Sequence, residues 1–176
     1  FEIIKENQSA GEIKLAVSVL SKNLVNNYIE TLESAGITPV SFDLESQATA
    51  RAVIHSGDKR SYLIINLSVA KTGFYVVEGE VVQFSTTLAY GIGNDDSYSS
   101  IGDLKIEMRK VFAFWNERAD LNKSENKIER IIICGLGANK KDFVEKLMEE
   151  IEVKYELADV WLNLSPSRNY APKVPF

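Results

Sequence analysis

Between Tyr62 and Gly91 three largely apolar runs follow one another with only short turns between them: YLIINLS, TGFYVVEG and EVVQFSTTLAYG. Rich in β-branched and aromatic residues and bounded by turn residues, they read as three consecutive strands of one sheet. The join between the first two carries Asn66-x-Ser68-x-x-x-Thr72, with Lys71 next to the threonine. That is a tight polar turn inside an otherwise apolar hairpin. A chain that opens a sheet this way must find helices to cover its faces.

The residues that follow supply them. A helix over about residues 100–118 carries Ile101, Leu104, Met108, Val111, Phe112 and Trp115 on one stripe. Ile128 to Cys134 is nearly all apolar, the pattern of a strand buried on both faces. Gly135-Leu136-Gly137-Ala138 then turns into a helix through Phe143, Val144, Leu147 and Met148, and Val153 to Leu157 forms a last strand. The order is βββαβαβ, a mixed sheet with helices against it.

The first 57 residues read as a smaller unit. FEIIKENQ and GEIKLAVSVL form a hairpin around Ser9-Ala10-Gly11. Ser21 caps a helix bearing Leu24, Val25, Tyr28, Ile29 and Leu32, and Gly36 ends it at the position where a positive φ is needed. Thr38 to Leu44 is expected as a third strand entered through Pro39, and Glu45 to Ile54 as a second helix. The polar run His55 to Arg60 marks a domain boundary. The division expected is a ββαβα lobe over residues 1–57, a βββαβαβ lobe over 58–164 and an extended tail over 165–176 with Pro166, Pro172 and Pro175.

Composition narrows the classes of function. A net charge of -5, with basic and acidic residues interleaved, offers no basic stripe for nucleic acid. The single Cys134 excludes an internal disulfide and any multi-cysteine metal site. No apolar run is long enough to span a bilayer, and no secretory signal is present. The chain starts inside a strand at Phe1 without an initiator Met, as a fragment would.

The polar turn is the first candidate site. A phosphate-binding hairpin needs a carboxylate to hold metal or orient water, a glycine that lets backbone N–H groups approach, and a hydroxyl donor. Here Asn66 stands at the carboxylate position, Ser68 at the glycine position, and Thr72 keeps the hydroxyl. Asn brings no negative charge, so metal affinity falls, while Lys71 could offset phosphate charge. The alternative is a purely structural turn. Gly135, Gly137 and Ala138, after a buried strand, could present N–H groups to an anion or a floor to a base. Strand-to-helix turns also need glycine for steric reasons alone. Glu45 and Asp43 flank a helix start, where carboxylates are favoured electrostatically; a metal or water contact is the other reading for Glu45. Cys134 reads as an inert buried thiol. Asp95 and Asp96 read as a solvated loop. His55 has no companion in a suggestive setting. Nothing in the residues alone demands an enzyme.

Taken in order, several phrases resemble the actin-like family of type IV pilus assembly proteins that includes PilM and is related to the cell-division protein FtsA. Leu32-x-x-Ala35-Gly36-Ile37-x-Pro39-Val40 leading to Asp43-x-Glu45-x-x-Ala48-x-x-Arg51 is one. Ile64-Ile65-Asn66-Leu67-Ser68 with Thr72 and Glu78-Gly79-Glu80 resembles the family's second phosphate loop, where Asp and Gly are usual at the first and third positions. Leu104-x-x-Glu107 with Phe114-Trp115 resembles a helix that usually ends Phe-Tyr, and Ile128 to Ala138 resembles the adenosine-side loop.

The resemblance runs over most of residues 11–157. It implies an α/β, actin-like (ribonuclease H-like) lobe, with residues 1–57 matching the subdomain inserted in PilM and FtsA and the helix after it. It also implies a cytoplasmic scaffold, peripheral at the inner membrane through its partners, that holds a short N-terminal peptide of PilN and meets other pilus platform proteins. Relatives bind ATP with Mg2+ between lobes. Here the first phosphate hairpin is missing, and the link after Gly91 is short where relatives carry a further subdomain. The expectation is therefore a degenerate nucleotide site at Asn66, Ser68, Lys71, Thr72, Gly135, Gly137 and Ala138, with no cofactor and no catalysis. Two alternatives stand: an ATP-binding actin-like protein of which this is a piece, and the cytoplasmic actin-like domain of a type II secretion protein.

Overall fold

The computed structural model of the 176-residue chain describes residues 2–7, 12–93, 100–121 and 127–163. The turn expected at Ser9 to Gly11, the Asp95-Asp96 loop and the proline-rich tail lie outside the described residues. Its elements in chain order are β1 (Glu2–Asn7), β2 (Glu12–Ala16), α1 (Lys22–Ser34), α2 (Glu45–Val53), β3 (Ser61–Leu67), β4 (Thr72–Glu78), β5 (Val81–Leu88), α3 (Ile101–Leu121), β6 (Arg130–Cys134), α4 (Lys141–Met148) and β7 (Tyr155–Leu157).

Five strands make one mixed sheet in the order β5-β4-β3-β6-β7. The hairpins β3–β4 and β4–β5 are antiparallel, while β6 lies parallel to both β3 and β7. This is the βββαβαβ order that the apolar periodicity predicts. β3, β4 and β6 are buried on both faces, which explains why their sequences are apolar runs rather than alternations.

Alternation along the strands divides the core in two. Leu63, Ile65, Leu67, Phe74, Val76, Ile131 and Ile133 face Leu104, Met108, Val111 and Trp115 of α3 and Phe143, Val144 and Leu147 of α4. Tyr62, Ile64, Tyr75, Val77, Ile132 and Cys134 face Ala50 and Val53 of α2. Helix α2 thus packs on the large sheet. Beyond hydrophobic burial, Lys105 pairs with Glu149, and Arg109 with Glu150, across the α3–α4 seam.

The chain before α2 is less buried, and α1 has no buried residue. β1 and β2 pair antiparallel, as expected from the sequence. Helix α1 starts after Ser21, which caps it through its backbone carbonyl to Val25 N–H (3.2 Å) and not through its side chain. It ends as the sequence predicts: Gly36 has φ +74°, and Ile37 N–H reaches back to the Leu32 carbonyl at 2.9 Å.

The strand expected at Thr38 to Leu44 is not formed. That segment has no ladder partner among the described residues, and Val40 is 98% exposed. Pro39 has no N–H to donate, and β propensity without an adjacent edge makes no strand. The described elements before β3 therefore run ββαα where ββαβα was expected. Among the described residues no helix is long and apolar enough to cross a membrane.

Candidate functional site

Because β3 and β6 run parallel, their C-terminal ends lie side by side, with Asn66 opposite Cys134. This end of an α/β sheet is where loops gather to form ligand sites. The turn Ser68 to Lys71 leaves β3 here, and the Gly135 to Ala138 segment leaves β6 beside it.

The turn is closed on itself. Ser68 N–H donates to the Lys71 carbonyl at 3.0 Å, and Ser68 Oγ donates to the same carbonyl at 2.8 Å. The outward carbonyls of the turn are also taken: Ile92 N–H donates to Ser68 O at 3.0 Å and Gly93 N–H to Val69 O at 3.1 Å. Gly91 lies so close that a Cβ there would stand 2.0 Å from Ser68 O. The chain's own residues 91–93 therefore lie against this turn.

Glu45, the first residue of α2, reaches the site from the helix side. Its Oε1 accepts Asn66 Nδ2 at 3.0 Å and its Oε2 accepts Lys71 Nζ at 2.5 Å. The bond to Glu45 raises the Lys71 pKa. Tyr75 lies beside the group, its hydroxyl folded over Gly73, the residue paired with Asn66, and burial, followed by the charge of Glu45, raises its pKa. The Cys134 thiol beneath is pushed up to about 12, chiefly by burial and then by Glu45. It is an inert thiol, as its apolar strand suggests.

The remaining predicted residues are divided by the sheet. Thr72 pairs with Leu67 across the hairpin and shares the alternation of Phe74 and Val76, so it turns to the α3–α4 face, away from Asn66. Its hydroxyl is fully buried and has no hydrogen-bond partner among the described residues. Gly137 and Ala138 are buried on that same side, where a Cβ on Gly137 would stand 2.7 Å from both Ile92 and Leu67. Gly135 has φ +85°, and a Cβ there would meet Leu67 O at 2.4 Å and Asn66 Oδ1 at 2.6 Å. These glycines are required by close packing against β3. They also open no long helix: Leu136–Asn139 is a single 3-10 turn, and α4 begins only at Lys141.

Tyr75 was missed by sequence reasoning, although a signal for it exists. A glycine inside an apolar strand marks a close approach, and Gly73 sits opposite Asn66. A Cβ at Gly73 would lie 2.2 Å from the Tyr75 hydroxyl, so the ring folds back over Gly73 toward Asn66.

No protein-family model and no curated protein matches the chain. Solved structures do. A chain of the PilM–PilN type IV pilus biogenesis complex superposes with a TM-score of 0.58 at 18% identity, covering 78% of this chain and 48% of that one.

The fold is actin-like and PilM-like.

The ethanolamine utilization protein EutJ from Carboxydothermus hydrogenoformans also matches, with a TM-score of 0.47 at 15% identity over 76% of this chain and 56% of its own. Apo psk41 ParM matches at 0.36 with 17% identity, over 65% of this chain and 42% of its own. The chain spans about half the length of the chain it matches in the PilM–PilN complex.

The donor set at the turn does not fit a divalent metal ion. Among the described residues no group of three His, Cys, Asp or Glu side chains is placed to hold an ion. Glu45, the carboxylate at the turn, already accepts from an amide and an ammonium group, so a cation there would have to compete with the ammonium group.

Proposed function

We propose that this chain is part of a pilus-assembly protein that acts as a cytoplasmic scaffold at the inner membrane, without ATPase chemistry. Its partner is a short N-terminal peptide of a PilN-like membrane protein, and through it the other proteins of the platform. The observation that carries the reading is the likeness to PilM from a PilM–PilN complex over most of this chain. Scaffold rather than enzyme is favoured by the turn itself. Its serine is bonded internally, Gly91 to Gly93 lie against it, and its carboxylate neighbour is paired with Lys71.

Two titrations on the intact protein test this. A fluorescent peptide from the N-terminus of the neighbouring pilus membrane protein is expected to bind saturably, and a scrambled peptide is not. Equal anisotropy curves for the two peptides would overturn the scaffold reading. Calorimetric titration with ATP and Mg2+ is expected to show no binding heat; a saturable isotherm would overturn the degenerate site.

A further inference from the structure

We propose that Lys71 is a built-in counter-cation, taking on Glu45 the place that a divalent ion would need. The inference rests on reading the turn as a former nucleotide site, and it assigns that site's cation to the protein itself. Glu45 is met by donors on both oxygens, the neutral Asn66 Nδ2 at 3.0 Å and the charged Lys71 Nζ at 2.5 Å. A divalent ion needs the opposite arrangement, in which oxygen acceptors converge on one point.

Asn66 and Lys71 make sense only together. An aspartate at position 66 would set a second carboxylate about one hydrogen-bond length from Glu45, and two anions at that spacing require a shared cation or a proton. Asparagine removes the charge and supplies a donor, and lysine then neutralises the glutamate that remains. Asn66 is also confined on its other side by the close approach of Gly135, whose ideal Cβ would stand 2.6 Å from Asn66 Oδ1. Its amide is therefore fixed toward Glu45. Lys71 and Glu45 are both about half exposed, at 50% and 48% of their side chains. An ion from solvent can reach Glu45, so what keeps it out is competition by the ammonium group. The pair also ties the start of α2 to the β3–β4 hairpin.

Mn2+ alone, without nucleotide, is the probe. By calorimetry and by the Mn2+ electron paramagnetic resonance signal, the wild-type protein is expected to show no saturable uptake. The N66D/K71M variant is expected to bind one Mn2+ at least roughly tenfold more tightly than the wild type, as one added anionic ligand and one lost competitor require. Adding E45Q should abolish that gain. Should the double variant fail to fold, reductive methylation of the wild type provides an independent reading: E45Q is expected to speed modification of Lys71 several-fold. Mn2+ uptake by the wild type that E45Q removes would overturn the proposal, as would a folded N66D/K71M protein with no gain or a Lys71 rate indifferent to E45Q. ATP binding by the wild type in the absence of any divalent ion would overturn the degenerate-site reading while supporting the built-in cation.

Discussion

At the residue scale the chain contrasts two glycines that look alike in sequence. Gly135 combines φ +85° with a position where a Cβ would collide with Leu67 O at 2.4 Å. Gly102, in the first turn of α3, has no atom within 4 Å of its ideal Cβ. Gly135→Ala is expected to cost about 3 kcal/mol, from backbone strain plus a clash with main chain that cannot yield. Gly102→Ala should be neutral or gain about 0.5 kcal/mol. Urea denaturation of both variants checks this, and equal midpoints would refute the packing role given to Gly135. That a glycine is needed after β6 was legible in the sequence, because strand-to-helix turns often require one. Its crowding of Asn66 was not legible, because the two residues meet only through the parallel pairing of strands far apart in the chain. The same holds for Glu45 and Lys71. Each was singled out for its own chemistry, but the spacing of 26 residues carries no sign that they neutralise each other.

At the scale of elements, periodicity placed most of the large sheet and its helices, while the side-chain cap expected at Ser21 is not formed. The stripe on α3, the burial of β6 and the three-strand meander follow from periodicity, which each segment carries within itself. The segment from Thr38 to Leu44 fails because a strand is a relation between two segments, and among the described residues no second segment pairs with it. Strand β3 shows how an element is anchored at its start. Asp58 Oδ1 accepts Arg60 N–H and Arg60 Nε, each at 3.0 Å, while Oδ2 accepts the Tyr62 hydroxyl at 2.7 Å. The bond from the Arg60 side chain, more than any other cause, holds this carboxyl well below the usual carboxylate range. A carboxyl with a depressed folded pKa stabilises the protein above its unfolded value of about 4, and that contribution is lost as pH falls toward the folded value. Asp58→Asn is therefore expected to cost about 1 kcal/mol at pH 7. It should also melt with a shallower loss of Tm between pH ~4 and pH ~2 than the wild type. If the two Tm-against-pH curves run parallel below pH ~4, Asp58 is not the group responsible.

Across the whole molecule, stability is distributed unevenly. β3, β4 and β6 each have a ladder on both edges and side chains buried on both faces. α1 has no buried residue, and its contact with the segment after it includes the tilted pair Tyr28–Phe42, with ring centroids 6.3 Å apart. An amide in the large sheet can exchange only when both core clusters open, whereas an amide in α1 needs only a local opening. Hydrogen exchange of this chain is therefore expected to leave Leu63 to Ile65, Phe74 to Val76 and Ile131 to Ile133 as the slowest amides. The amides of α1 should exchange at least roughly a hundredfold faster, a gap of about 3 kcal/mol in opening free energy. Protection of α1 equal to that of β3 would contradict this, and its dependence on protein concentration would then show whether a second copy covers the helix. The same unevenness explains why the closed turn persists. It sits where the most stable strands end, so Glu45 and Lys71 meet on a frame that does not need their ion pair to hold its shape.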